Sequence, residues 1–339
     1  MNHDASQAHP TLLRLLESES FSGVAVVRHE GQTLIEFAGG LANREAGLAN
    51  HLDTRFATAS VSKMFTATCI ARLVDAGLCQ FGQPLIDAAS SLRPHFDEHI
   101  TLAALLSHHS GLGDYLDDNV ELPFAGMDVA RLDCPRAFLP HILRAPRHAA
   151  GEFSYSSAGF VLLGIAIEEL TGKAFPDAIA QWVLEPADMM STGFPDMDVP
   201  SADLAIGYLP DGRSNAGHLP RIGGADGGIV ITAGDLLRFC DCMRNDGFLG
   251  TTVREFLWQP CGQVSEISSY GHGFYLTSVG NEVWPGHTGS DPGVSARVAF
   301  SPSSDSAIIV LCNGPEMAFR VFRLATHYIN AINPASVPS

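Results

Sequence analysis

The order of secondary-structure patterns along the 339-residue chain is the feature that most restricts its fold. Two β-rich runs, 21–29 and 32–39, flank Glu30-Gly31 and predict a hairpin near the start. Strand patterns return in the last third of the chain, in three runs: 273–278, 293–300 and 307–312. Helical patterns separated by Pro- and Gly-rich loops fill the middle. We therefore expect the terminal strands to share one antiparallel sheet, with a helical insertion and a cleft between two lobes.

The final helix is the clearest single element. Pro315 suits a first helical turn, and apolar residues then recur at intervals of three and four: Met317, Val321, Leu324, Tyr328 and Ile332. Further helical patterns are found in these runs: 11–17, 62–76 ending at Gly77, 102–106, 138–143, 155–170, 178–184 and 235–243. Residues 226–232 predict a turn. The chain is thus predicted to be α+β, with residues 1–82 and 200–339 in a sheet lobe and residues 83–199 in a helical lobe.

Composition excludes several classes of protein. With 46% hydrophobic and 17% charged residues, the chain is not expected to be disordered. Asp plus Glu number 37 and Lys plus Arg number 20, so the net charge is −17. Such a charge repels nucleic acid and anionic membrane surfaces. No apolar run approaches the roughly 20 residues of a membrane helix.

The cysteines and the N-terminus predict a cytoplasmic protein. The first ten residues lack a positive stretch followed by an apolar core, so no signal peptide is expected. Seven scattered cysteines, an odd number, predict reduced thiols. Only Cys240 and Cys242 lie close together, and their two-residue offset in a helix points the side chains apart. We therefore expect two packing or surface thiols here and not a metal pair. Dependence on a metal or another cofactor is not expected.

The first chemical signal is Ser60-Val61-Ser62-Lys63. A serine hydroxyl is a poor nucleophile until a base takes its proton, and a lysine three residues along a helix returns to the same face. A helix start also offers backbone N–H donors for an oxyanion. The alternative is an ordinary helix start with a surface lysine. The apolar flanks, Phe56 to Ala59 and Met64-Phe65, disfavour an exposed lysine.

Two further signals follow. In Tyr155-Ser156-Ser157, a phenol beside a lysine could act as a base or proton relay; the alternative is a core tyrosine at a helix start. In Gly286-His287-Thr288-Gly289-Ser290, a glycine-flanked polar strand edge lets a substrate backbone approach closely. The alternative there is a tight turn with a surface histidine.

Together and in this order, these motifs resemble the serine β-lactamase and penicillin-binding-protein superfamily, defined by S-x-x-K, Tyr-x-Asn or Ser-x-Asn, and Lys-Thr-Gly. The similarity is to the branch with class C β-lactamases, family VIII esterases and D-aminopeptidases. Three more stretches extend it over nearly the whole chain: Leu105 to Leu112, Phe160 to Gly172, and Gly227 to Leu237. The resemblance implies a β-lactamase/transpeptidase-like fold, an antiparallel sheet flanked by helices plus a mainly helical lobe.

The same resemblance implies roles for individual residues. Ser60 would be the acylated nucleophile, and Lys63 and Tyr155 would share the general acid and base work. The backbone N–H groups of Ser60 and Ser290 would form the oxyanion hole. Ser157, His287, Thr288 and Gly289 would line the substrate site.

Two departures from the family pattern bear on the substrate. Ser157 stands where the pattern has asparagine, and His287 stands where most members have lysine. A neutral histidine is a weak anchor for a substrate carboxylate, which disfavours β-lactamase and carboxypeptidase activity. We expect hydrolysis of short-acyl aryl esters, with cleavage after an N-terminal D-residue as the competing activity. The latter needs an acid for the substrate ammonium, and the candidates are Asp114, Asp226 and Asp291.

Other functions stay open beside hydrolysis. A β-lactamase, an acyl transferase or a peptide cyclase would use the same acyl-serine intermediate, and a binding module could retain the shape without catalysis. No G-x-S-x-G elbow and no H-E-x-x-H pair occur, and Gly223 to Gly228 lack the lysine of a phosphate loop. That glycine run is interpreted as a flexible loop beside the cleft. The expected partner is a small ester, amide or short peptide.

Overall fold

The computed structural model describes residues 3–116, 122–199 and 201–332. In this part of the chain the strands are β1 (Gly23–His29), β2 (Gln32–Gly39), β3 (Leu41–Asn43), β4 (Leu48–Ala49), β5 (Phe56–Ala57), β6 (Val230–Ile231), β7 (Gly262–Ser265), β8 (Ser268–Tyr270), β9 (Tyr275–Val279), β10 (Glu282–Asp291), β11 (Val294–Phe300) and β12 (Ala307–Cys312). Eight of them form one antiparallel sheet in the order β2-β1-β12-β11-β10-β9-β8-β7.

The two ends of the chain meet at the centre of this sheet. β1 pairs with β12, with Gly23 opposite Cys312. β1 and β2 are joined by the predicted two-residue turn, in which Glu30 (φ 46°) and Gly31 (φ 78°) both adopt left-handed conformations that suit a tight hairpin. The expectation that terminal strands share one antiparallel sheet is therefore confirmed.

The helices cover both faces of the sheet. They are α1 (His3–Leu16), α2 (Ser62–Asp75), α3 (Leu85–Ala88), α4 (Leu102–Leu106), α5 (Leu139–Ile142), α6 (Ser157–Thr171), α7 (Phe175–Ile179), α8 (Ala233–Met243), α9 (Thr251–Leu257) and α10 (Met317–Ile332). α1 and α10 pack together on one face, and α2 and α8 lie on the other, where they join the central helical block.

Helices α2 and α6 are buried on nearly all sides, which explains their weakly amphipathic sequences. In α2, residues 62–71 are all buried, and so are residues 157–167 of α6. The two helices pack against each other. Because Lys63 lies in the first turn of α2 and Ser157 begins α6, this packing places the start of both helices in the same part of the core.

Several element bounds differ from the sequence prediction. α1 begins at His3 and includes Pro10, whereas the predicted helix began after that proline. Residues 226–232, predicted as a turn, contain β6, which pairs with β5. Strands β7 and β8 were not predicted from the sequence. Within the described residues, no helix combines the length and apolarity needed to cross a membrane.

Candidate active site

Ser60 lies in a single 3₁₀ turn, Ala59–Val61, immediately before α2. Ala59 has φ 48°, a left-handed conformation that is costly for a residue with a side chain. The turn leads directly into the first turn of α2, and Lys63 Nζ lies 2.9 Å from Ser60 Oγ. Ser60 is half-buried and lines a pocket, so the pair faces a space where a substrate could bind.

The Lys63 side chain is fully buried. Its Nζ donates a hydrogen bond to the Asp226 carbonyl oxygen at 2.7 Å and lies 3.2 Å from Ser157 Oγ. Burial lowers the pKa of Lys63, although the charges of Asp226, Asp114 and Asp291 act in the opposite direction. The surface-lysine alternative is wrong, and the lowered pKa favours the neutral amine that a general base requires.

The start of α6 brings the second motif to Lys63. Ser156 caps the helix, since its Oγ accepts from the Gly159 N–H at 3.4 Å. The Ser157 N–H donates to Asp114 Oδ2 at 2.7 Å, which fixes the first helical residue. The Tyr155 ring centroid lies 5.1 Å from Lys63 Nζ, a cation–π distance. Tyr155 and Ser157 therefore both lie beside the amine.

The third motif lies on β10, at a sheet edge left open beside Ser60. β9 pairs with β10 only as far as Gly286, so residues 287–291 have no β9 partner. A Cβ on Gly289 would lie 2.0 Å from the Thr58 carbonyl oxygen, so only glycine lets this strand approach the segment that carries Ser60. Ser290, the next residue, pairs with Ser295 of β11.

His287 is buried within this strand, so the surface-turn alternative is wrong. Its Nδ1 lies 2.6 Å from the Thr288 carbonyl oxygen, and its Nε2 lies 3.1 Å from the Tyr270 hydroxyl. Burial and the nearby Lys63 charge lower the pKa of His287 to about 3. The imidazole is neutral at pH 7, and both its nitrogens are engaged by protein groups.

The pocket in front of Ser60 combines apolar walls with acidic groups. Its polar lining includes Tyr115, Asp226 and Asp291, and its apolar lining includes Leu116, Phe124, Phe138, Met197 and Leu219. The Tyr115 hydroxyl donates to Asp226 Oδ2 at 2.6 Å. Burial raises the pKa of Asp226 and of Asp114. The glycine run 223–228 lines the same pocket through all four of its glycines, Gly223, Gly224, Gly227 and Gly228.

Two residues of this region, Tyr115 and Tyr270, and the supporting role of His108 were not predicted from the sequence. His108 is buried with φ 61°, and its Nδ1 accepts the Ser156 N–H at 3.1 Å. His108 lies within the family-like stretch Leu105 to Leu112. No local sequence pattern indicated its position beside Tyr155, where the two ring centroids lie 4.3 Å apart. Tyr115 and Tyr270 reach the site only through long-range packing. No cluster of three potential metal ligands is present in the described ranges.

Comparison with known proteins identifies the class. A beta-lactamase family model matches residues 11–331, so the chain belongs to the beta-lactamase family. The expected family, its α+β fold and its class, serine hydrolases of esters or amides, are thereby confirmed.

Individual relatives agree with this assignment. The chain is 28% identical over 325 residues to penicillin-binding protein 4 of Amycolatopsis lactamdurans, covering 86% of this chain and 81% of the relative. It is 29% identical over 305 residues to the esterase EstB of Burkholderia gladioli, covering 78% and 77%. The crystal structure of a penicillin-binding protein from Bacillus halodurans superposes with a TM-score of 0.84 and 31% identity, covering 92% and 98%.

Proposed function

We propose that the protein is a hydrolase that forms an acyl-enzyme on Ser60. The observation that carries this proposal is the 2.9 Å distance between Lys63 Nζ and Ser60 Oγ inside a buried site. Burial lowers the pKa of Lys63, so a neutral amine is available to take the serine proton. Ser60 Oγ then attacks the substrate carbonyl carbon, and the carbonyl oxygen becomes an oxyanion.

In this proposal the oxyanion receives the backbone N–H groups of Ser60 and Ser290. The approach of β10 to the Ser60 segment at Gly289 supports that assignment. When the tetrahedral intermediate collapses, the bond to the leaving group breaks, and Lys63, assisted by Tyr155, returns the proton to the departing alcohol or amine. Water attacks the acyl-enzyme in the same way and releases the acid.

The roles of the remaining motif residues follow from their contacts. Ser157 Oγ, 3.2 Å from Lys63 Nζ, would orient the amine and relay its proton. Thr288 and Gly289 would present the open edge of β10 to the substrate backbone. His287 would be a structural part of that edge and would not act as a charged anchor for the substrate, because its nitrogens already bind Thr288 and Tyr270.

The charges of the site favour neutral acyl donors, and we propose short-acyl esters as the best substrates. Lys63 is surrounded by Asp114, Asp226 and Asp291, and His287 adds no cation. An anionic substrate would meet this acidic pocket unfavourably. The β-lactamase alternative is disfavoured for the same reason.

A second candidate is cleavage beside a free amino terminus, as in a D-aminopeptidase. Asp226 and Asp291 line the pocket that also contains Ser60, and either carboxylate could bind a substrate ammonium. Acyl transfer or peptide cyclisation would differ only in the nucleophile that resolves the acyl-enzyme. A non-catalytic binding module would show no turnover at all.

Location, partners and the division into lobes are further parts of the proposal. All seven cysteines are free, and four of them, Cys69, Cys79, Cys240 and Cys312, are buried, which suits a reducing cytoplasm. The partner is a small ester, amide or short peptide, and no cofactor takes part in the proposed steps. We propose that residues 1–82 and 200–339 form the sheet lobe and that residues 83–199 form the helical lobe.

A set of substrates with one shared leaving group tests the function. The p-nitrophenyl esters of acetate, D-alanine, L-alanine and succinate carry neutral, cationic and anionic acyl groups. We expect the acetyl ester to turn over fastest and the succinyl ester slowest, with no turnover by Ser60→Ala. Faster cleavage of the D-alanyl ester and of D-alanine p-nitroanilide would establish the aminopeptidase candidate instead. Turnover of nitrocefin above all esters would contradict the charge argument.

A further inference from the structure

Tyr270 is a buried tyrosine that links two parts of the candidate site. It ends β8 and is fully buried, and its hydroxyl lies 3.1 Å from His287 Nε2. Its ring lies edge-on to the Tyr155 ring, with centroids 6.1 Å apart and an angle of 87° between the planes. The His108 ring centroid is 4.6 Å away. One side chain thus contacts the strand that carries Ser290 and the aromatic ring beside Lys63.

The hydrogen-bond partners of His287 determine the direction of the Tyr270 contact. The Thr288 carbonyl oxygen can only accept, so Nδ1 of His287 must carry a proton. A neutral imidazole has one N–H, which leaves Nε2 as an acceptor. Tyr270 must therefore donate its hydroxyl proton to Nε2. Burial raises the pKa of Tyr270 well above its usual value, so the phenol remains a donor.

The turn after Tyr270 packs closely against α2, the helix that carries Lys63. Gly273 has φ 86°, and a Cβ there would lie 2.2 Å from Ala67 Cβ of α2. The Gly273 N–H donates to the Leu106 carbonyl oxygen at the end of α4, at 2.9 Å. Since α2 also carries Lys63, the position of Tyr270 is fixed relative to the proposed base.

We propose that Tyr270 is a positioning residue for the Ser60 reaction. Its hydroxyl holds His287 as the neutral Nδ1–H tautomer and thereby fixes the open edge of β10, residues 287–291, beside Ser60. Its ring packs edge-on against the Tyr155 ring. This inference rests on the proposed function, because it assigns Tyr270 to the same site and the same reaction.

The surroundings explain why a neutral donor suits this position. The groups that face or act on His287 are Lys63 of α2, Tyr270 of β8, Tyr275 of β9, Arg297 of β11 and the neighbouring His108. Two of these, Lys63 and Arg297, are basic groups that lower the pKa of His287, and among the described residues no carboxylate contributes to that pKa. A proton on His287 would place a positive charge in a buried position beside these two basic groups. The pair of Tyr270 and His287 is a hydrogen-bonded arrangement that needs no counter-ion.

The tautomer can be measured directly in the wild-type protein. Nitrogen-15 NMR of the histidine side chains, with His287 assigned by His287→Gln, is expected to show a protonated Nδ1 and an unprotonated Nε2 at pH 7. An Nε2–H tautomer or an imidazolium would overturn the inference. This measurement needs neither turnover nor a Tyr270 variant, so it decides the question even if Tyr270→Phe does not fold.

Kinetics then test whether the contact matters for the reaction. Tyr270→Phe retains the ring and loses the hydroxyl, and we expect kcat to fall about tenfold, less than the 10²–10³ typical of a lost oxyanion donor, with KM changed by less than about twofold. In Tyr270→Phe with His287→Gln, the loss should be no larger than in His287→Gln alone, because both changes remove one interaction. Additive losses would show that Tyr270 does not act through His287.

Tyr208→Phe is the matched control. Tyr208 is equally buried, and its hydroxyl donates to Glu45 Oε2 at 2.6 Å, away from the site. We expect this variant to keep kcat and the His287 nitrogen signals. Wild-type kcat in Tyr270→Phe would refute the positioning role, whereas turnover by Ser60→Ala would refute the proposed function and leave the tautomer result intact.

Discussion

The two faces of the central sheet follow different physical rules. On the α1 and α10 face, residues such as Leu12, Ile308 and Val321 form an apolar cluster. On the other face, the apolar core surrounds a fully buried lysine, buried carboxyl groups and two residues with left-handed backbone, Ala59 and His108. The first face packs through apolar contacts, while the second holds ionisable groups where water would normally be needed.

The contrast indicates that stability and activity depend on different layers of the molecule. A buried charge and a strained backbone are costly and persist only where the surrounding structure holds them in place. The α1 and α10 layer provides ordinary hydrophobic stability. Substitutions on the two faces should therefore have separable effects on stability and on activity.

The largest effect is expected for Lys63→Ala. Removing the proposed base should lower the acylation rate by about 10²–10⁴-fold, the usual range for general acid–base catalysis. Rapid-quench or stopped-flow measurement of the acylation burst gives this rate directly. A near-wild-type burst would mean that another group is the base.

Gly289→Ala should have the next largest effect on activity. The new Cβ would lie 2.0 Å from the Thr58 carbonyl oxygen, so β10 must move away from the Ser60 segment. A displacement of about 1 Å at a reacting centre can cost about 10²-fold in rate. Gly314→Ala is the control, because nothing lies within 4 Å of its Cβ position. Equal kcat/KM for the two variants would show that the close approach is unimportant.

Ile308→Ala tests the opposite face of the sheet. Ile308 is fully buried in the α10 layer, and its truncation should lower the free energy of unfolding by about 2–5 kcal/mol. Urea denaturation measures that loss. The kcat of the folded fraction should remain that of wild type. A large fall in kcat would show that the two faces are coupled.

The smallest expected change concerns the acid side of the pH profile. As the pH falls through the lowered pKa of Lys63, the amine gains a proton and kcat/KM decreases. His287, with a pKa of about 3, stays neutral above about pH 4 and contributes no transition there. In His287→Gln we expect a lower rate at every pH, but the midpoint of the acid limb should stay where it is in wild type. A midpoint that moves would assign the limb to His287.

Periodicity predicted the regular elements well. α4 and β12 have the predicted bounds, and the Glu30-Gly31 hairpin turn lies where the flanking β-rich runs placed it. These elements are encoded locally, because the side-chain period or a turn residue determines each of them. The two-residue strand β6 was missed because so short an element has no period.

The residues of the candidate site also divide into those that local sequence encodes and those that tertiary packing places. Ser60 and Lys63 could be paired from sequence, since one helical turn brings them together. The hydrogen bond between Tyr115 and Asp226 joins residues 111 positions apart, and no local pattern encodes it. Tyr270 likewise meets His287 only because β8, β9 and β10 assemble into one sheet. Side chains placed by tertiary packing cannot be predicted from the spacing of residues along one sequence.

Covalent labelling of the serine shows most directly whether Ser60 is the nucleophile. After brief exposure to a fluorophosphonate or an activated short-acyl ester, intact-mass and peptide analysis should find one adduct, located on the peptide containing Ser60. Ser60→Ala should carry no adduct, and Lys63→Ala should acquire it far more slowly. Labelling of another residue would contradict the assignment of Ser60 as the acylated nucleophile. So would the absence of any adduct when the folded protein is treated with every acylating probe.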